Sequence, residues 1–319
     1  MLKVENLVKK YGDKYAVSDI SFTIKDREVV GFLGPNGAGK TTVMNIITGY
    51  LSYTSGACTV DVYEILENPT EAKKLIGYLP DEPPLYPEMT VKEYLNFVYE
   101  LKGCQLNRDK HIMEICEVTK IVDMKDRLIR NLSKGYKQRV GIAQALIGNP
   151  KIIILDEPTV GLDPKQIIEI RNLVRSLGRD HTVILSTHVL SEVQAVCDRI
   201  IIMNKGRIVA DERTDRLTEL MSGTRRLSVR IKGNKKEIQE MLSGIEKISY
   251  AEASRDVTQP DGITFRIETK DGADVREEIF YACAERKMPI TAMETVTSTL
   301  EDVFMNVTRE NARKKVKTK

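Results

Sequence analysis

The chain has 319 residues, 41% of them hydrophobic and 30% charged, with a net charge of +3; this suits one large and one small well-packed domain, not a disordered chain or a dedicated nucleic-acid binder. The five cysteines, at 58, 104, 116, 197 and 283, are odd in number and lack a CxxC pair, which argues against a disulfide framework or zinc site and for a reducing compartment. No apolar run approaches the ~18–20 residues that span a bilayer, and "MLKVENLVKK" turns polar within three residues, so a cytoplasmic chain is expected, with any membrane role supplied by a partner.

Residues 2–8 and 17–24 alternate apolar and polar, as half-buried strands do. "EVVGFLG" reads as a short buried strand running into a glycine-rich loop, and "TTVMNIITGY" continues with helical periodicity. From about 85 to 148 the pattern is helical: "VKEYLNFVYELKG", "KHIMEICEVTKI" and the run opened by "NLSKGYKQRVGIAQAL". "KIIILDE" and "TVILSTH" are continuous apolar runs ending in polar residues, the pattern of central parallel strands with functional groups at their C-terminal ends. Strand–helix alternation then resumes to about 222. Residues 223–308 read as a separate α+β unit whose β-α-β-β-α-β order matches the ferredoxin-like plan. "STLEDVFMNVT" adds a last helix with capping-box spacing, Ser298 to Glu301, and residues 309–319 read as a basic, disordered tail.

"GPNGAGKT" fits G-x-x-x-x-G-K-[ST] and sits between a strand and a helix, as a phosphate loop must. Its residues Gly34, Asn36, Gly37, Ala38 and Gly39 offer backbone N–H groups to phosphates, and Pro35, which has none, belongs to the same nucleotide-binding loop. Lys40 reaches the β- and γ-phosphates, Thr41 ligates Mg²⁺, and Thr42 continues the turn. In "IIILDEP", Asp156 ends an apolar strand and fits the carboxylate that holds Mg²⁺ in P-loop NTPases, while Glu157 is placed to polarise an attacking water. ATP and Mg²⁺ are the expected ligands. "NLSKGYKQRVGIAQAL" poses a question: Ser133 caps a helix and Gly135 admits a group to its backbone, yet the stretch has neither a phosphate-binding lysine nor a preceding strand. One nucleotide does not occupy two separated helix N-termini, so this second anion site points to a second subunit.

These motifs make residues 1 to about 220 resemble the nucleotide-binding subunits of ABC transporters. "LSKGYKQR" looks like the family's signature loop, "GLDP" its D-loop and "STH" its switch histidine. "YLPDEPPLYPEMTV" followed by "LSKGYKQRVGIAQAL" is similar to the ABC-2 exporter class of drug, antibiotic-resistance and gliding-motility-like ATPases, where a C-terminal extension ending in "LEDVF" is common. The resemblance implies an α/β fold: a P-loop nucleotide-binding domain over residues 1–222, with a helical subdomain at about 85–148, plus the small C-terminal domain. It implies an ATPase whose domains pair head to tail around two ATP molecules, with Ser133 and Gly135 of one chain facing the γ-phosphate held by Lys40 of the other. Tyr11 matches the aromatic that stacks on adenine, His188 the histidine that bonds the γ-phosphate and positions water, and Asp163 a residue crossing the interface. Asp81 (or, one residue on, Glu82) stands where the family usually has a glutamine, and is a candidate to approach Mg²⁺. Lys134 and Tyr136 replace the commoner glycine and glutamine of the signature. His111 and His181 match nothing and are read as helix-surface and loop residues.

The implied partners are separate transmembrane permease subunits, docking near Leu85, Tyr86, Met89 and Val91, and a second nucleotide-binding subunit, identical or related. The chain would then be peripheral on the cytoplasmic face of the membrane, with no nucleic-acid partner. The alternative, a soluble ABC ATPase acting on nucleic acid or the ribosome, usually carries two ATPase units or a coiled-coil insertion between the positions of Lys40 and Ser133, and this chain has neither. A P-loop kinase would leave the signature and "STH" unexplained.

Overall fold

The structure, a computed structural model, describes residues 1–216, 226–254 and 262–296. The chain divides into two compact units, Met1–Thr214 and Asp215–Lys319. In the first, β1 (Leu2–Tyr11) and β2 (Lys14–Ile24) form an antiparallel hairpin, extended on the β1 side by β4 (Ser55–Val60) and β5 (Tyr63–Glu64). Both hairpin strands run to the turn, beyond the alternating segments of the sequence, because the pairing closes at Tyr11 and Lys14.

A second sheet is built from β3 (Val29–Leu33), β6 (Ile76–Leu79), β7 (Ile152–Asp156), β8 (Thr182–Thr187), β9 (Arg199–Asn204) and β10 (Arg207–Arg213). Its order is β10-β9-β3-β8-β7-β6, parallel except for the β9–β10 hairpin. Every residue of β3, β7 and β8 is buried, which is why these runs read as uninterrupted apolar stretches. Leu33 pairs with Thr187, Asp156 with Ser186, and Leu79 with Leu155. This register brings the segments that follow β3, β6, β7 and β8 out along one edge, the edge where parallel sheets place their chemistry. Helices α1 (Lys40–Ile47) and α2 (Pro69–Lys74) follow β3 and β5, while α6 (Pro164–Leu177) and α7 (Leu190–Val196) follow β7 and β8.

Between β6 and β7 the chain forms a helical arm of α3 (Val91–Leu101), α4 (Arg108–Val118) and α5 (Lys134–Leu146). A capping box starts α3: the Glu93 N–H donates to Thr90 Oγ1 at 3.2 Å and the Thr90 N–H donates to Glu93 Oε2 at 2.7 Å. Its buried residues Val91, Tyr94, Leu95, Val98 and Tyr99 follow helical spacing. That burial corrects part of the expected docking surface. Val91 is fully buried within the arm and Leu85 and Met89 are partly buried, leaving Tyr86 exposed, edge-on to Tyr94 and Phe97. His111 also departs from expectation: it is buried, and its Nε2 accepts the Gly148 N–H at 3.0 Å. His181 lies in a loop as read, its Nδ1 2.7 Å from the Pro150 carbonyl oxygen.

Lys102, just past α3, satisfies the end of α5 by donating to the carbonyls of Ile147 at 2.8 Å, Gln144 at 3.3 Å and Ala145 at 3.4 Å. Burial pushes its ammonium down to about 8. The folded chain therefore releases this proton near pH 8 and the unfolded chain near pH 10.5, so the unfolded state holds more protons between those values and stability rises with pH across that window. Urea denaturation at several pH values should show wild type gaining on Lys102→Met by up to roughly 3 kcal/mol between pH 8 and pH 10.5. A difference independent of pH would refute the shift.

In the second unit, β11 (Arg226–Ile231), α8 (Lys235–Ser243), β12 (Ile248–Ala253), β13 (Ile263–Thr269), α9 (Arg276–Glu285) and β14 (Ile290–Val296) follow the order read from the sequence. The antiparallel sheet runs β12-β13-β11-β14, and Ile238, Met241, Leu242, Ile279 and Cys283 of the helices share a core with Leu227, Val229, Phe265 and Ile267 of the strands. The expected boundary near 222, the "STLEDVFMNVT" helix and the tail from 309 lie outside the described residues. All five cysteines are free, and among the described residues no helix is long and apolar enough to cross a membrane.

Candidate active site

The loop after β3 is held from behind. Ala38 accepts the Gly206 N–H at 2.9 Å, and Gly206 in turn accepts the Ser18 N–H at 2.7 Å. Gly39 has φ +104°, and a Cβ there would stand 2.6 Å from the Ala16 carbonyl oxygen, so only glycine fits. Helices α3, α4, α5 and α6 are capped by the side chains of Thr90, Asn107, Ser133 and Asp163, whereas α1 has no side-chain cap and no acid in its first turn. Its first N–H groups and the positive end of its dipole are thus left for an anion. Lys40, 6% exposed, donates to the Gly34 carbonyl at 2.8 Å and lies 3.8 Å from Glu157 Oε1. Burial lowers the pKa of its ammonium, opposed by the charges of Glu157 and Asp156.

Asp156, at the end of β7, is 1% exposed, and both its carboxylate oxygens are buried without a hydrogen-bond partner. Burial pushes its carboxyl up. The nearby Ser186 and Thr41 hydroxyls and the Lys40 ammonium pull the other way, and the charge of Asp81 adds to the rise. A buried carboxylate left so is costly unless a cation meets it. Among the described residues no cluster of three or more His, Cys, Asp or Glu could hold a metal alone. The site therefore suits a hard divalent ion that takes one or two protein oxygens and completes its shell with phosphate oxygens and water.

Glu157 has φ +48°, a left-handed backbone that a non-glycine residue adopts at a cost of order 1–2 kcal/mol. The Ser186 carbonyl holds that turn by accepting the Glu157 N–H at 2.8 Å. The Glu157 side chain is 12% exposed; both its oxygens lie 3.0 Å from His188 Nδ1, and Thr187 Oγ1 lies 3.2 Å from Oε2. An ionised Glu157 selects the tautomer with the proton on His188 Nδ1, leaving Nε2 of the half-exposed ring directed away from that contact.

Asp81 lies on an exposed bend two residues beyond β6, close enough for its charge to act on Asp156. Tyr11 ends β1 and is 53% exposed, with Lys9 Nζ 5.3 Å from its ring centroid. Ser133 caps α5, accepting the Tyr136 N–H at 3.4 Å. Gly135 is buried, and a Cβ there would stand 2.6 Å from Gln166 Cδ in α6. Asp163, expected at an interface, caps α6 by accepting the Gln166 N–H at 2.9 Å. The structure thus joins Lys40, Glu157 and His188 directly, with Asp156 next to Glu157 in the chain and near enough to Lys40 for their charges to act on each other, while Ser133 and Gly135 belong to the start of the arm's last helix. Sequence reading missed Thr159, Thr187 and Glu192, which form a buried hydrogen-bonded group beside Glu157. A lone acid in a seven-residue helix gives no local sign of such a role.

The profile of the ABC transporter family matches residues 17–160. An uncharacterized ABC transporter ATP-binding protein of Bacillus subtilis, YxlF, is 34% identical over 96% of this chain and 99% of its own. The linearmycin resistance ATP-binding protein LnrL of the same organism is 32% identical over 98% of this chain and 100% of its own. Among solved structures, the dimeric post-hydrolysis state of the ATP-binding cassette MJ0796, bound to ADP and Pi, superposes with a TM-score of 0.61 at 29% identity, covering 67% of this chain and 99% of that one.

Proposed function

Since this chain belongs to the ATP-binding proteins of the ABC transporter family, we propose that it hydrolyses ATP as one half of a head-to-tail dimer that drives separate transmembrane permease subunits of an exporter. The observation that carries this reading is the meeting, at one sheet edge, of an uncapped helix start, a buried unpartnered aspartate and a glutamate held by a histidine. LnrL, named for resistance to an antibiotic, favours export. The dimeric state of the similar cassette favours pairing.

In this reading the N–H groups from Gly34 to Thr42 bind the phosphate chain, and Lys40 turns from the Gly34 carbonyl to the β- and γ-phosphates. Mg²⁺, held by Thr41 and Asp156 with Asp81 close by, would neutralise phosphate charge. Glu157 takes the proton of the attacking water, and His188 holds Glu157 in place and faces the γ-phosphate. Tyr11 stacks on the adenine. Ser133 and Gly135 of the partner chain close the site. Ser133 and Gly135 start a helix separate from the one that follows the phosphate loop, and one nucleotide does not occupy two separated helix starts, so another copy's arm completes the site. Exposed Tyr86 and Phe97 offer the permease an aromatic contact, and the chain sits peripherally on the cytoplasmic face.

A tagged pull-down from detergent-solubilised membranes of the host, read by mass spectrometry, tests the transport half. A stoichiometric polytopic membrane protein is expected. Recovery with ribosomal or nucleic-acid-binding proteins alone would overturn transport and leave the ATPase chemistry standing.

A further inference from the structure

Glu192 is 5% exposed in the first turn of α7, and no ion pair reaches it among the described residues. Its carboxylate is held by two hydroxyls: Thr159 Oγ1 donates to Oε1 at 2.5 Å and Thr187 Oγ1 donates to Oε2 at 3.0 Å. Both threonines are buried, 5% and 1% exposed. Thr159 lies two residues after Glu157 on the way to Asp163, and Thr187 directly precedes His188. The same Thr187 hydroxyl lies 3.2 Å from Glu157 Oε2. It has one proton for two carboxylates, while its own oxygen accepts the Val189 N–H at 3.2 Å.

A buried carboxylate without a cation is expensive, and an apolar side chain of similar size would fill the space at lower cost. The position of α7 is set independently of this group. The helix lies so close on β3 that a Cβ on Gly31 would stand 2.6 Å from Val193 Cγ1. Glu192 therefore projects from a helix fixed against the central sheet, and its two bonds tie the segment after Glu157 and the residue before His188 to one rigid point.

We propose that Glu192 is a positioning residue. It clamps Thr159 and Thr187 together, so that a displacement of the Thr159–Asp163 segment is passed to the Thr187 hydroxyl and hence to Glu157 and His188. When Thr159 and Glu192 are in register, Thr187 gives its proton to Glu192 and Glu157 keeps a lone pair for water. When the clamp slackens, Thr187 turns to Glu157, occupies the lone pair that water needs and pulls it from line. The geometry of the segment that contains Asp163 thus controls whether Glu157 is a competent base. This rests on Glu157 acting as that base.

The test is steady-state ATP hydrolysis by the purified full chain carrying Glu192→Gln, Thr159→Val or both, with Glu157→Gln alongside. Misplacing a reacting group by about 1 Å costs on the order of 10²-fold, and loss of one of two ties should lower kcat by about 10-fold. KM for Mg-ATP should stay within about twofold, since neither side chain is placed on the nucleotide. The double variant should fall little further than either single one, because both break the same tie. The nearly isosteric Thr159→Val keeps the test open should Glu192→Gln not fold. A kcat within twofold of wild type in the folded variants, a KM rising in step with the loss, or two losses that multiply would overturn the clamp. A dead Glu157→Gln beside a near-normal Glu192→Gln removes only the clamp; a Glu157→Gln that still turns over removes the base, and the clamp with it.

Discussion

Glu157→Gln is expected to bind Mg-ATP within a few-fold of wild type and to lose turnover by roughly 10²–10⁴-fold, the usual worth of a positioned general base. The substitution keeps shape and a hydrogen-bonding oxygen for Thr187, so the turn at φ +48° and its Ser186 tether should persist. It removes the basic lone pair. It also removes a negative charge 3.8 Å from Lys40 and beside buried Asp156, which if anything favours an arriving triphosphate. Nucleotide titration by fluorescence and phosphate release under saturating ATP separate the two quantities. Retention of more than a tenth of wild-type turnover would take Glu157 out of the role, and a large loss of binding would place it in nucleotide recognition instead.

The second large effect concerns the two-chain site. Lys40→Ala and Ser133→Arg should each be nearly inactive as pure proteins, the first because the phosphate chain loses its cation and the second because the bulky side chain bars the partner's γ-phosphate. Loss of the Ser133 cap costs only about 1 kcal/mol, so the variant should fold. In an equal mixture about half of the dimers are mixed, and each keeps one site with both Lys40 and Ser133 intact, so turnover should climb toward about a quarter of wild type. Recovery depends on pairing and should grow with protein concentration. A mixture no more active than the average of its components would mean that Lys40 and Ser133 do not serve one site across two chains.

Much of the site was legible without coordinates because its chemistry is local. A phosphate loop needs its glycines and lysine within eight residues, and "GPNGAGKT" supplies them directly after a buried strand. The acid pair is likewise marked by position, at the end of an apolar run that became β7. The strands and helices of the second unit were readable for the same reason, since period-2 and period-3.6 patterns sit within single elements. The misreadings share one cause. Val91 and His111 carry no local sign of which helical face will meet the rest of the arm, and both were turned inward by packing with neighbouring elements.

Local patterns in the chain set which groups are available and the order in which they leave the strands: Lys40 after β3, Asp156 and Glu157 at the end of β7, His188 after β8. Which of them touch depends on how the strands and helices pack together. His188 meets Glu157 across 31 residues and Thr159 meets Glu192 across 33. Those meetings follow from the parallel register of β3, β8 and β7 and from α7 pressed onto Gly31. Register and close packing are properties of the whole sheet and its helices, set by how every buried side chain fits its neighbours, and no window of sequence contains them.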